Sequence, residues 1–159
     1  MSKDISRELW IILNRTRYLI YKDRQKELNK YGLSVRYAGV LGTITRLGGR
    51  ATIGDLAREL FLEPHSISEL LARMETQELV KKVKDAKRKN VFSVELTEKG
   101  EQAHRESRKL ESVKDIMAAL NDNEKAELWS HLSKIRKRAM ERLGIKSEAL
   151  FPPSDYRDL

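Results

Sequence analysis

The sequence predicts a mostly α-helical chain with a small two- to three-stranded β wing, and three observations carry that prediction. Between Ala51 and Met74 two apolar-periodic helices, each with its own start signal, are separated by a turn of a few residues. Leu79-Val80 and Val91 to Leu96 have the pattern of two short strands, the second alternating apolar and polar. The loop between them, Lys81 to Asn90, holds six cations against the single anion Asp85. Helix, turn, helix and basic hairpin in that order make a winged helix-turn-helix. The helices left over at either end are expected to form a dimerisation region.

The elements follow from local signals. Ile5, Leu9, Ile12, Leu13, Thr16, Leu19 and Ile20 recur at helical spacing, predicting a first helix from about Asp4 to Lys30 that Gly32 ends. Ser34 caps a second helix in which Tyr37, Val40, Leu41 and Ile44 face one way; Gly39 and Gly42 each lower its helicity by roughly 1 kcal/mol, so they are expected where another helix approaches closely. Gly48-Gly49 closes it. Thr52 with Asp55 forms a near capping box for a third helix, buried through Ile53, Leu56, Ala57 and Leu60.

Glu63-Pro64 starts a fourth helix, because proline suits the first helical position and pushes the preceding residue out of helical geometry. Its core side is Ile67, Leu70, Leu71 and Met74; the opposite face is His65, Ser66, Ser68, Glu69, Ala72 and Arg73. Thr97 caps a fifth helix, expected to run to about Leu120 with Ala103, Ser107, Leu110, Val113, Met117 and Leu120 in a nearly heptad stripe. Asn121 and Glu124 form a capping box for a sixth, in which Leu128, Leu132, Ile135, Ala139 and Leu143 line one side before Gly144. The organisation expected is one chain domain, 1–159, with a winged lobe at 34–96, dimerisation helices at 1–33 and 97–146, and a polar tail at 147–159.

Composition narrows the function classes. The 159 residues are enough for a proper core, and the absence of cysteine excludes disulfides and Cys-type zinc sites. The longest purely apolar run, Leu9 to Leu13, is too short for a membrane span or a signal-peptide core, so a cytoplasmic chain with no membrane partner is expected. Net charge is +8, which argues for an acidic partner. Like charges packed on a hairpin beside a helix that can enter the major groove have the character of phosphate contacts, so double-stranded DNA is the expected partner.

On that basis the fourth helix offers Pro64, His65, Ser66, Ser68, Glu69 and Arg73 as its DNA-reading residues, and the wing offers Lys82, Lys84, Lys87, Arg88, Lys89 and Asn90. An acid on a reading face is repelled by phosphates. Glu69 is tolerable there if it accepts from cytosine N4 or pairs with a cation such as Arg73 at i+4. The alternative function is a winged-helix interaction module whose basic wing docks an acidic protein surface. Catalysis has little support: His65, His104 and His131 fall on three different predicted helices with no ligand-type spacing, and Gly48-Gly49-Arg50 is not followed by the Gly-Lys-Ser/Thr of a nucleotide loop. No cofactor, metal or enzyme activity is expected.

Leu33 to Leu41 resembles the second helix of MarR-type regulators, Thr52 to Leu60 the first helix of their reading unit, and Ser66 to Glu75 their recognition helix. Leu79-Val80, the wing and Leu96-Thr97-Glu98-Lys99-Gly100 follow at that family's spacing, and the match spans about residues 5 to 145. The resemblance implies an obligate homodimer, built by the first, fifth and sixth helices, that binds pseudo-palindromic DNA and usually responds to a small ligand; the function expected is that of a repressor occupying its operator. Leu9, Leu128, Leu132, Ile135 and Leu143 are the expected dimer contacts. Trp10, Arg17, Tyr18, Tyr21, Tyr37 and His104 lie on helices the resemblance brings together, and their mixed aromatic and cationic character would suit a small aromatic acid.

Two departures from the family pattern matter. The Asp-x-Arg motif common at the wing tip falls on Arg88 and Asn90, so its chemistry does not carry over intact; Arg88 could supply a guanidinium from a shifted position with Asp85 as partner. Glu78 replaces the usual glycine before the Leu-Val pair. A left-handed backbone there would cost a non-glycine residue roughly 1 kcal/mol or more, so a slightly altered turn is expected.

Overall fold

The computed structural model describes residues 4–85, 88–146 and 151–152. Lys87 and most of the 147–159 tail lie outside the described residues. The chain divides into two compact units, one up to Val113 and the other from Lys114.

In the first unit, helix α1 (Ser6–Asn29) starts where Asp4 accepts hydrogen bonds from the Ser6 amide, at 2.9 Å, and the Ser6 hydroxyl. Gly32 ends its overhang at φ +66°. Helix α2 (Val35–Arg46) is capped by Ser34, whose hydroxyl accepts from the Tyr37 amide. At its other end the Gly48 and Gly49 amides return to the carbonyls of Thr45 and Ile44, with both glycines at positive φ. Strand β1 (Ala51–Thr52) leads into α3 (Ile53–Leu60), where Thr52 and Asp55 complete a reciprocal capping box.

Helix α4 (Pro64–Thr76), strands β2 (Val80–Lys84) and β3 (Phe92–Leu96), and helix α5 (Glu98–Ser107) follow. The antiparallel sheet has the order β1-β3-β2, with Ala51 opposite Val94 and Val80 opposite Leu96. β1 is the third strand, which two residues of sequence are too short to signal.

The core of this unit is where the helical periodicity places it. Val40, Leu41 and Ile44 of α2, Leu56 of α3 and Ile67, Leu71 and Met74 of α4 are buried together with Leu28 of α1. Ile53, expected on the buried side of α3, is instead exposed. A Cβ added at Gly39 would sit 3.7 Å from Leu60 Cδ2, and one at Gly42 3.7 Å from His104 Cε1. Both glycines do face neighbouring helices, but at ordinary contact distance that an alanine would also fit.

The helix expected to run from Thr97 to Leu120 is broken. α5 stops at Ser107, Leu110 takes φ +52°, and α6 (Glu111–Met117) starts afresh. The break is held by two nearly buried charges of α1. The Arg24 guanidinium donates to the Ser107 carbonyl and pairs with Glu27 at 2.8 Å. The Glu27 carboxylate accepts from the Glu111 and Ser112 amides, at 3.0 and 3.1 Å, and from the Ser112 hydroxyl. One side chain thus serves the carbonyl end of α5 and the other the amide end of α6, where backbone groups otherwise lack partners.

In the second unit, α7 (Asp122–Arg142) opens with the Asn121–Glu124 capping box and closes at Gly144, φ +66°. Leu128, Leu132, Ile135 and Leu143 along it are exposed. Among the described residues no helix is long and apolar enough to cross a membrane, and no group of three His, Cys, Asp or Glu is placed to hold a metal ion.

Candidate nucleic-acid interface

The turn between α3 and α4 sets the angle of the outward helix. Phe61 adopts the left-handed conformation at φ +53°, the Leu62 amide returns to the Ala57 carbonyl at 3.0 Å, and Glu63 is extended before Pro64 at the first helical position. With Ile67, Leu70, Leu71 and Met74 buried, the helix has one orientation, and His65, Ser66, Ser68, Glu69, Ala72 and Arg73 are all exposed. Asp55 at the start of α3 stays ionised: burial opposes its charge, but the Thr52 amide and hydroxyl and the cations of Arg58 and Arg88 outweigh that and hold its carboxyl below the usual range.

Glu69 has a partner on either side along α4. His65 Nε2 lies 3.2 Å from one carboxylate oxygen and Arg73 Nη2 3.9 Å from the other, while Arg73 Nε donates to the Glu69 carbonyl at 3.3 Å. The acid on the outward face is thus paired within its own helix. The Arg73 partner is legible from the i+4 spacing; the second partner, His65 at i−4, emerges only from the structure.

After α4 the backbone keeps the left-handed turn despite the missing glycine, with Glu78 at φ +59° and the Leu79 amide bonded to the Met74 carbonyl at 2.9 Å. The non-glycine residue thus takes the left-handed backbone itself. Its far side explains the Leu-Thr-Glu-Lys-Gly segment: the Thr97 amide donates to the Leu79 carbonyl at 3.1 Å, the Thr97 hydroxyl to that of Glu78, and a Cβ at Gly100 would come within 1.9 Å of Leu79 O. No side chain fits there, so glycine is what lets α5 start against the root of the wing.

Along the wing, Lys82 pairs with Glu75 of α4 at 3.5 Å, tying the strand to the outward helix. Lys81 lies 3.7 Å from Glu95 across the sheet, and Arg50 also pairs with Glu95. Lys84, Arg88, Lys89 and Asn90 surround a cleft of about 550 Å³ that Phe92, 52% exposed, also lines. The Asp85 carboxylate accepts from the Arg88 amide at 3.2 Å, and the Asp85 amide donates to the Val91 carbonyl at 3.0 Å. Asn90 turns the chain at φ +66°. Asp85 thus shapes the loop that carries Arg88. The roles of Arg50, Glu75 and Glu95 are not legible in the sequence; the cross-strand pairing of Lys81 with Glu95 depends on the register.

The six residues of the candidate effector pocket are scattered more widely. Trp10, Arg17 and Tyr18 on α1 are exposed, with Lys22 over the Tyr18 ring at 5.6 Å. Tyr21 is half-buried; Tyr37 packs against the core and its hydroxyl lies 3.4 Å from Gln77 Nε2. His104 lines a cavity of about 330 Å³ with Thr45, Gly49, Glu95, Leu96, Glu101 and Arg105, and none of the other five reaches that cavity. Burial and the neighbouring Arg108 cation lower the pKa of His104, which favours the neutral ring.

A basic hairpin joined by an ion pair to a helix whose polar face points outward defines a winged helix-turn-helix suited to nucleic acid. Residues 31–89 match the MarR family. Over 120 residues the chain is 29% identical to YsmB of Bacillus subtilis (strain 168), an HTH-type transcriptional regulator, covering 74% of this chain and 82% of that protein. The organohalide-sensing transcriptional regulator RdhR-CbdbA1625, solved with 2,4-dichlorophenol bound, superposes with a TM-score of 0.85 at 28% identity, over 96% of this chain and 91% of that one. A mutant of MarR from E. coli, complexed with operator DNA, shares the fold at a TM-score of 0.76 and 17% identity, over 84% of this chain and 99% of that one. In these likenesses the chain is similar to MarR-type winged-helix transcriptional regulators.

Proposed function

We propose that the protein is a ligand-responsive repressor that binds a pseudo-palindromic operator as a homodimer and works in the cytoplasm, without catalytic activity. The observation that carries this is the outward polar face of α4 tied by Glu75 and Lys82 to a cationic wing. In this reading Pro64, His65, Ser66, Ser68, Glu69 and Arg73 enter the major groove, and Lys82, Lys84, Arg88, Lys89 and Asn90 follow the adjoining backbone and minor groove, with Lys87 as a further wing cation.

The second copy is supported by apolar surface that has no use in a monomer. On α1, Leu9 is 56% and Leu19 65% exposed; on α7, Ile135 is 55% exposed. Surface of this kind in quantity marks an interface, and two-fold pairing presents two recognition helices to two half-sites. A small aromatic ligand is supported by the dichlorophenol bound to the 28%-identical regulator.

The test is selection of duplexes from a randomised pool by the full chain, followed by titration with aromatic carboxylates and chlorophenols. The reading expects an enriched inverted repeat, bound two chains per duplex and released by at least one compound. Enrichment of no sequence, with equal binding to an acidic protein surface, would favour the interaction module instead.

A further inference from the structure

Resting on the reading of α4 as the recognition helix, we propose that Glu69 is a positioning residue for base recognition: it aims His65 and Arg73 at the bases and fixes which hydrogen-bonding edge the neutral His65 ring presents. An acid on a DNA-facing surface costs affinity through repulsion from phosphates, so its presence calls for a compensating role. The geometry supplies one. Glu69 sits midway between the two longest polar side chains of the face, 3.2 Å from His65 Nε2 and 3.9 Å from Arg73 Nη2, and its own carbonyl takes Arg73 Nε at 3.3 Å.

A carboxylate only accepts, so the neutral imidazole must place its proton on Nε2 to bond with it. That leaves Nδ1 as an acceptor. In the major groove the donors it can meet are the exocyclic amines of cytosine and adenine. Arg73, held at two points by Glu69, keeps guanidinium donors for guanine O6 and N7 or for phosphate. Eight residues separate the pair, about 12 Å along the helix axis, so they address different base pairs. His65 is 84% and Arg73 67% exposed, and without the Glu69 carboxylate His65 loses its partner along the helix and Arg73 keeps only the residue-69 carbonyl, a loss of preorganisation that falls on specific binding.

The experiment compares wild type, Glu69→Gln, Glu69→Ala and His65→Ala at pH 8 and fixed salt, on the duplex selected by wild type, on its single-base variants, and on scrambled duplex. Positioning predicts that both Glu69 variants lose roughly tenfold or more in the selected-to-scrambled affinity ratio, while affinity for scrambled DNA holds or rises because a negative charge is gone. At one base pair the preference for cytosine or adenine should relax in Glu69→Gln, whose amide can serve either ring tautomer, to the same level as in His65→Ala. Melting temperature should not change for so exposed a residue. Tighter binding of the Glu69 variants to selected and scrambled duplexes alike, with the base preference intact, would show Glu69 to be merely repulsive and overturn the inference alone. A wild type that discriminates no sequence would overturn the recognition-helix reading with it.

Discussion

Gly100 and Glu78 both sit at the root of the wing and set opposite demands on substitution. At Gly100 the missing side chain is required by space, since a Cβ would lie 1.9 Å from a backbone oxygen. Gly100→Ala is expected to cost about 3 kcal/mol or more, because backbone and not a flexible side chain must move; urea unfolding midpoints would measure it, and a loss below about 1 kcal/mol would mean that α5 does not start against Leu79. At Glu78 the side chain is the burden. A glycine suits φ +59°, so Glu78→Gly is expected to stabilise by roughly 1 kcal/mol, less whatever freedom it adds to the unfolded chain. Its ion pair with Lys99 is exposed and 3.9 Å long, and losing it should matter little. The sequence flags Glu78 as misplaced because the turn before a Leu-Val pair is a local pattern. It does not flag Gly100 as more demanding than Gly39 or Gly42, since what excludes a side chain there is a carbonyl 21 positions away.

The elements show the same division between local and distant causes. Helix starts at Ser34, Thr52, Thr97 and Asn121 are legible because each cap lies within three residues of what it caps, and the start at Pro64 because proline suits the first helical position. The break between α5 and α6 is not, because Leu110, Val113 and Met117 continue the apolar period across it and the groups that cap the gap belong to α1. Burial opposes the charge of Glu27, yet Ser112, Arg24 and the Glu111 and Ser112 amides hold its carboxyl down to about 2. A folded pKa below the ordinary carboxylate value stabilises fully above about pH 4.5 and loses that contribution as pH falls towards 2. Glu27→Ala leaves Arg24 buried without its partner and is expected to cost roughly 3–5 kcal/mol at pH 7, with a smaller penalty at pH 3; equal penalties at both values would show that the carboxylate charge is not what holds the joint. Wing and recognition helix should fail differently too. Lys84→Ala, Arg88→Ala or Lys89→Ala should weaken all duplexes alike and flatten the log-affinity against log-salt slope by about one unit per lost contact, twice that in a symmetric dimer. Ser66→Ala or Ser68→Ala should cost roughly 1 to 3 kcal/mol on the operator and little on scrambled DNA. Titrations at several salt concentrations separate the two, and a wing variant that loses operator binding alone would reverse the assignment.

For the whole molecule, the decisive quantity is apolar surface that one chain leaves in water. Periodicity reveals the stripes of the first and last long helices but does not tell a core face from an interface, since both are apolar at the same spacing. Burial separates the stripes: those of α2, α3 and α4 are largely enclosed within the first unit, whereas Leu9 and Leu19 on α1 and Leu132 and Ile135 on α7 remain exposed. A second copy covering these faces would place two recognition helices on one face of the duplex, about 34 Å apart if each is to read its half-site. A ligand could then lower DNA affinity only by binding better to dimers with another spacing, so its effect must equal the difference between its affinities for the two forms. Leu9→Asp and Ile135→Asp each put a charge into an apolar stripe that pairing would dry, and neither disturbs the enclosed core of the first unit. Both variants are expected to keep helical content while scattering light as monomers at micromolar concentration, and to lose cooperative binding to an inverted repeat. A wild-type chain that is monomeric at that concentration, or Asp variants that still dimerise, would place the two-fold contact elsewhere and remove the basis for coupling ligand to operator through helix spacing.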